Sequence, residues 1–279
     1  MPDKQKQHLD FFAKLIEAES GIRYKKDYYQ LKNRLSAICT VLNMPDTESL
    51  FHSIRSNGVS WALSHAIRNH AVNHETQFFR DRGLYEDIKK IILSNSPWCE
   101  KHEHPFKAWS AACSFGQEVW SLGMLLTDWS TDTNNKFLIT GTDLSEFAIN
   151  RAKSGIYTEP ELLNSLKPAE ISRWFKATPD LKFKCTLTGH KSISFFRQNL
   201  LEPLLHLSRQ DSFDLVLIRN TLLYFQSPVR SKVISEIRKV MRPGGYLALG
   251  AAETLPEKPE AFALVRSGQS KFPIYQTRD

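Results

Sequence analysis

Apolar residues recur at helical spacing from residue 8 to residue 70 and then give way to short apolar runs alternating with helical stretches. In "LDFFAKLIEAESGI", Leu9, Phe12, Leu15, Ile16 and Glu19 share helical spacing, and Gly21 supplies a stop. "DYYQLKNRLSAICTVLNM" predicts a second helix, with Asp27 as N-cap and Pro45 just past its end. "DTESLFHSIRSN" opens on another capping pattern and ends near Gly58, and "SWALSHAIRNHAVN" predicts a fourth helix. No strand signal interrupts this region. An all-helical N-terminal domain with its linker is expected over residues 1–80.

From residue 105 the pattern changes. "FKAWSAA" reads as a strand, "CSFG" as a turn and "QEVWSLGMLLTDW" as a helix. "KFLITGTD" then "SEFAINRAKSGI", "SISFFRQNL", and "SFDLVLIRN" then "SPVRSKVISEIRKVM" continue the alternation, and "GYLALG" is a fifth strand entered through a turn at Pro243-Gly244-Gly245. Strands alternating with helices predict an α/β fold with a mostly parallel sheet over residues 81–279. In such sheets ligands collect beyond the carboxyl ends of the strands, near the reversal of strand order. Residues 181–196, "LKFKCTLTGHKSISFF", alternate apolar and polar positions. They predict a small antiparallel hairpin turning at Thr188-Gly189-His190-Lys191, part of a β-subdomain insertion over about residues 160–194.

Composition excludes several classes. Of 279 residues, 41% are hydrophobic and 24% charged, as in ordinary folded soluble proteins. No apolar run approaches the roughly 20 residues of a membrane span, and "MPDKQKQHLDFF" lacks a signal-peptide core, so a cytoplasmic protein without direct membrane insertion is expected. Cys39, Cys99, Cys113 and Cys185 are scattered without a CxxC pair, which argues against structural zinc, any other bound metal and a disulfide framework. The net charge of +7 raises the question of nucleic acid. Residues 1–80 hold 11 Lys and Arg against 8 Asp and Glu, and no basic tail exists. A solvated mixed-charge surface accounts for this, and it leaves room for an acidic protein partner.

Candidate chemistry sits at three strand exits. The "CSFGQE" turn lets backbone amides approach a ligand and puts Glu118 in the first turn of a helix, although it lacks GxGxxG spacing. Asp143 ends the second strand, where a carboxylate accepts from both hydroxyls of a ribose or caps the following helix. Arg219 and Asn220 follow the apolar run Leu215–Ile218, and Tyr224 comes shortly after, facing the same crevice or packed in the core.

The segments "NHETQFFRD", "WSAACSFGQEVWSLGM", "TGTDLSEFAINRAKSGIY", "RQNLLEPL", "FDLVLIRNTLLYF" and "MRPGGYLALGAAETL", in this order, resemble the chemotaxis receptor methyltransferase (CheR) family across nearly the whole chain after residue 8. That resemblance implies a Rossmann-like class I methyltransferase domain, an N-terminal helical domain and a small antiparallel β-subdomain. It implies S-adenosylmethionine as cofactor, with S-adenosylhomocysteine as product, and methylation of glutamates on the cytoplasmic helical domain of a bacterial chemoreceptor. A monomer that binds no nucleic acid is expected. By the resemblance His74, Thr76 and Arg80 contact the cofactor, and Glu118 and Asp143 face its amino-acid and ribose portions. Asn199 and Leu200 flank adenine, while Arg219 and Asn220 complete the pocket. Arg80 and Tyr224 lie near the transferred methyl as the catalytic residues, with Phe78 and Phe79 packing the domain junction.

Some positions depart from the family pattern. His74 stands where an Asn is common, and "GQEVWSL" keeps Glu118 but loses the preceding acid. The stretch after Arg34 has none of the family's further arginines, although Lys25, Lys26, Lys32 and Arg34 precede it. No Gly-rich loop for gripping a receptor's C-terminal pentapeptide is visible, so action without that tether is expected. A nucleic-acid methyltransferase would carry an Asp/Asn-Pro-Pro-aromatic turn where "RNTLLYF" stands, or a Pro-Cys nucleophile. A non-catalytic cofactor-binding module of a chemosensory pathway remains the alternative.

Overall fold

Four helices form the N-terminal unit: α1 (Asp3–Ser20), α2 (Tyr28–Val41), α3 (Thr47–Asn57) and α4 (Trp61–His70). The computed structural model describes residues 3–24, 28–94, 104–204, 207, 213–255, 261–265 and 272–278. The expected cap Asp27, together with Lys25, Lys26 and Cys99, lies outside the described residues. Local chemistry sets the helix ends: the Asp46 carboxylate accepts from Ser49 N at 2.7 Å, and Ser60 Oγ accepts from Leu63 N at 3.1 Å. At Gly58 (φ 75°) the chain leaves α3, its N–H donating to Ile54 O at 2.8 Å. Phe12, Ile16, Leu31, Leu35, Ile38 and Ile67 bury their side chains in a core belonging to these four helices.

A segment not expected from the sequence follows: α5 (Arg82–Asp87) runs into a π-helical stretch, Ile88–Leu93. The α/β unit then comprises β1 (Phe106–Ala111), α6 (Gln117–Thr133), β2 (Phe137–Asp143), α7 (Glu146–Ser154), β3 (Ile156–Tyr157), α8 (Glu159–Leu163), α9 (Pro168–Trp174), β4 (Phe175–Ala177), β5 (Phe183–Cys185), β6 (Ile193–Arg197), β7 (Phe213–Ile218), α10 (Ser227–Lys239), β8 (Met241–Leu249), β9 (Phe262–Val265) and β10 (Ile274–Thr277). The main sheet has the order β6-β2-β1-β7-β8-β10-β9. Its first five strands are parallel, and β10 and β9 close one edge antiparallel. This is the mostly parallel α/β architecture expected, with one apolar core on each face of the sheet. The chain runs from β1 to one side and returns to the other, so the order reverses between β1 and β7. Among the described residues no helix is long and apolar enough to cross a membrane.

Two expectations are corrected. Residues 181–196 do not form a hairpin: Phe183–Cys185 pairs antiparallel with Phe175–Ala177 and with Ile156–Tyr157 in a separate three-stranded sheet. Ile193–Arg197 instead runs parallel to β2 in the main sheet. The Thr188–Lys191 turn therefore connects two sheets, a distinction that alternation alone does not carry. Pro243-Gly244-Gly245 is no entry turn but part of β8, where the register against β7 shifts between Phe213 and Leu215.

Candidate functional site

The reversal of strand order opens a crevice at the carboxyl ends of β1, β2 and β7. Its cavity spans about 940 Å³ when the space open to solvent at its mouth is included. The end of α1 and the chain after α4 cover it. Ser20 and Ile22 line the wall, Arg23 N donates to Tyr224 O at 3.0 Å, and Asn73 Nδ2 donates to the Tyr224 hydroxyl at 3.0 Å. The carboxamide oxygen of Asn69 accepts from Ser145 Oγ at 2.9 Å and from Phe147 N at 3.1 Å, tying α4 to the start of α7.

Beyond β1 the backbone turns through left-handed conformations at Ala112 (φ 64°), Ser114 (φ 51°) and Gly116 (φ 88°). A Cβ on Gly116 would stand 2.7 Å from Ala152 Cβ and 3.1 Å from Ala152 Cα, so only glycine lets α6 start against α7. Gly116→Ala is expected to cost at least about 2 kcal/mol, from left-handed strain and overpacking together, read by urea denaturation.

Asp143, at the end of β2, is buried. One carboxylate oxygen accepts from Ser114 N at 2.8 Å and the other from Ser145 N at 2.9 Å. Its carboxylate lines the cavity and accepts from the backbone of Ser145, which is itself the N-cap of α7, so Asp143 braces that helix start without capping it. Burial pushes its carboxyl above the ordinary range, while those N–H bonds and nearby His74 act the other way. A carboxylate has about four acceptor positions, so this one can still accept from a ligand.

Arg219 follows β7 with its side chain only 2% exposed. It donates to Glu118 Oε2 at 2.8 Å, to Asp81 Oδ2 at 2.6 Å and to Arg80 O at 2.8 Å. Burial opposes its charge, but the two carboxylates outweigh burial and hold its pKa above the ordinary arginine value. Its Nε, also buried, has no hydrogen-bond partner among the described residues. Glu118 is completed by Ser110 Oγ, which donates to its other oxygen at 2.7 Å. Glu118 and Arg219 thus form a paired floor, whereas the sequence reading treats them as separate ligand contacts.

The segment from Asn73 to Asp81 links the helical unit to this floor. Phe78 is buried edge-on to Tyr157 and Phe175, at ring distances of 4.9 and 5.3 Å. It packs in the core of the α/β unit rather than between the units. Phe79 (φ 45°) and Asp81 (φ 61°) both adopt left-handed backbone, and Phe79 N donates to Ser121 Oγ at 2.8 Å. Between them Arg80 lines the cavity, donating to Glu75 O at 3.2 Å with the Glu75 carboxylate 3.7 Å away.

Thr76, Arg80, Glu118, Asp143, Asn199, Leu200, Arg219, Asn220 and Tyr224 all line this one cavity. His74 does not. Its ring stacks on Phe115 at 4.8 Å and its Nε2 lies 3.0 Å from Asn69 O, while its carbonyl accepts from Ser114 Oγ at 3.1 Å. It braces the turn rather than facing the cavity. Ser20, Ile22, Asn73, Ser114 and Gln198 also line the site and escape the sequence reading. Of these Asn73, Ser114 and Gln198 fall inside the quoted motifs, whereas Ser20 and Ile22 do not. Cys113 lines the cavity too, but burial pushes its thiol well above the usual value, so it is no thiolate nucleophile.

Residues 74–270 match the family model described as "CheR methyltransferase, SAM binding domain". The chemotaxis protein methyltransferase of Vibrio anguillarum is 29% identical over 259 residues, covering 91% of this chain and 92% of that protein. The Cher2 chemotaxis protein methyltransferase of Pseudomonas putida is 27% identical over 282 residues, covering 97% and 98%. The chemotaxis protein methyltransferase of Escherichia coli is 26% identical, covering 96% and 90%.

Proposed function

Because the chain belongs to the CheR methyltransferase family, we propose that it transfers a methyl group from S-adenosylmethionine to glutamate side chains of bacterial chemoreceptors, on a Rossmann-like class I methyltransferase fold. The observation that carries this reading is the meeting of Asp143, Arg219, Arg80 and Tyr224 around one crevice, all within the residues matched by the family model. The donor set suits the cofactor. Asp143 keeps acceptor capacity for ribose hydroxyls, Asn199 and Leu200 offer an amide edge and an apolar face to adenine, and the unpartnered Arg219 Nε suits a carboxylate.

When bound, S-adenosylmethionine supplies a methyl group already activated on a sulfonium sulfur. An incoming glutamate is ionised at neutral pH, so the protein need not supply a strong base. What remains is alignment with water excluded. Arg80 takes up the substrate carboxylate through a charge-assisted hydrogen bond in place of Glu75. Tyr224, held by Asn73, donates a neutral one. The helical unit roofs the crevice and keeps water out. The protein acts as a cytoplasmic monomer on the helical cytoplasmic domain of a receptor, without the C-terminal tether.

Arg80→Ala is expected to lower the single-turnover rate by roughly ten- to a hundredfold through lost alignment, and Tyr224→Phe by about tenfold for one hydrogen bond. Both variants should keep their melting midpoint, because the exposed Arg80–Glu75 pair contributes little. Unchanged single-turnover rates in both would remove the assignment. The activity itself is tested by transfer of radiolabelled methyl to receptor cytoplasmic domains. Base-labile label is the expected result; cofactor binding without transfer would favour the non-catalytic module instead.

A further inference from the structure

Glu253 follows β8 and has no role in the chemistry above. It is 4% exposed, and burying a carboxylate is costly unless its oxygens are hydrogen-bonded. Here they are satisfied by backbone. One oxygen accepts from Asn220 N at 2.7 Å and Gly250 N at 2.9 Å, the other from Thr221 N at 2.9 Å and Leu223 N at 3.2 Å. Three of these four amides belong to the turn between β7 and α10, and the fourth, Gly250, directly follows β8. That turn runs from the buried Arg219, through Asn220 in left-handed backbone (φ 54°), to Tyr224. The turn is also held by Tyr224 N to Thr221 O at 3.1 Å, Phe225 N to Leu222 O at 3.0 Å, Thr221 Oγ1 to Arg219 O at 3.1 Å and Arg230, which donates to Phe225 O at 2.9 Å and Leu223 O at 3.4 Å. None of these fixes Asn220 N or Leu223 N. The approach also depends on Gly250, where a Cβ would lie 2.8 Å from the Glu253 carboxylate and 3.0 Å from Asn220 N.

We propose that Glu253 is a positioning residue whose carboxylate holds the 220–223 turn in place and, through it, aligns the Tyr224 hydroxyl in the crevice. This rests on the reading of Tyr224 as a residue close to the transferred methyl. A glutamine at 253 keeps the size but accepts on one atom only, and its NH2 group confronts two N–H donors.

The test is Glu253→Gln in the full chain, read in two ways. Hydrogen exchange measured by mass spectrometry should speed up at least about tenfold in residues 220–223 while β7 stays protected, the turn having lost its acceptor. In a double-mutant cycle, the loss in single-turnover rate caused by Glu253→Gln should shrink when Tyr224 is already phenylalanine. Unchanged exchange, or a rate loss of the same size in both backgrounds, would overturn the proposal. If Glu253→Gln does not fold, Glu253→Asp, which keeps the charge on a shorter stem, carries the same two measurements with the same expectations. Exchange is read on the protein alone, so absence of methyl transfer by the wild type would count against the proposed function and not against the hold on the turn.

Discussion

Replacing Arg219 with methionine is expected to destabilise the fold by about 3–5 kcal/mol, the usual result of removing one partner from a buried ion pair. The methionine fills much of the volume but leaves Glu118, whose side chain is 13% exposed, facing an apolar neighbour. A fall in melting midpoint on the order of 10 °C should accompany it. Glu118→Gln added to Arg219→Met should restore part of the loss, because the uncompensated charge is then gone. A shift of only a degree or two, or no recovery in the double variant, would show that the Arg219 pairs do not hold the floor of the crevice.

Asp143→Asn is expected to weaken binding of S-adenosylhomocysteine by roughly a hundredfold or more, since hydrogen bonds to a charged acceptor contribute about 1.5–3 kcal/mol each. The amide nitrogen would also face Ser114 N or Ser145 N, which now donate to the carboxylate. The wild-type affinity carries a pH signature of known sign. Burial raises the Asp143 carboxyl above its ordinary value, so part of the population is protonated as pH falls toward the carboxylate range. Donor hydroxyls of the ligand favour the ionised form and lower that pKa on binding, so affinity should climb as pH rises through the raised value and then level off. For the free protein the sign is opposite: a raised carboxyl favours the fold at low pH, and that contribution fades as pH rises through the folded-state value. Calorimetry of the wild type and Asp143→Asn from about pH 4 upward separates these effects; the same pH slope in the asparagine variant would assign it elsewhere.

Periodicity revealed the helical unit, whose apolar spacing at Phe12, Ile16, Leu31, Leu35 and Ile38 becomes its core. It also revealed the five parallel strands, because a strand buried on both faces needs a continuous apolar run such as Leu215–Ile218. The antiparallel edge strands β9 and β10 were not legible. Phe262–Val265 and Ile274–Thr277 are four residues each, too short for a pattern to stand out from loop. Alternation at Phe183–Cys185 correctly signals a strand but not its partner, since period two is the same in either sheet. At the site, polar residues beyond strand ends were legible by position, Asp143 and Arg219 above all. The Glu118–Arg219 pairing was not, because those residues are 101 positions apart. Nor were the left-handed conformations of Phe79, Asp81, Ala112, Ser114 and Asn220, residue types that give no hint of strain or only a weak one. The packing of the His74 ring on Phe115 was not legible either, because a motif fixes a residue's neighbourhood but not the direction of its ring.

One structure would test the central claim most directly: a crystal of the protein grown with S-adenosylhomocysteine. The predicted result is density in the crevice, with ribose hydroxyls at the Asp143 carboxylate and the sulfur on the side of Arg80 and Tyr224. Product bound elsewhere, or Arg80 and Tyr224 turned out of the crevice with Asp143 far from any nucleoside, would contradict it.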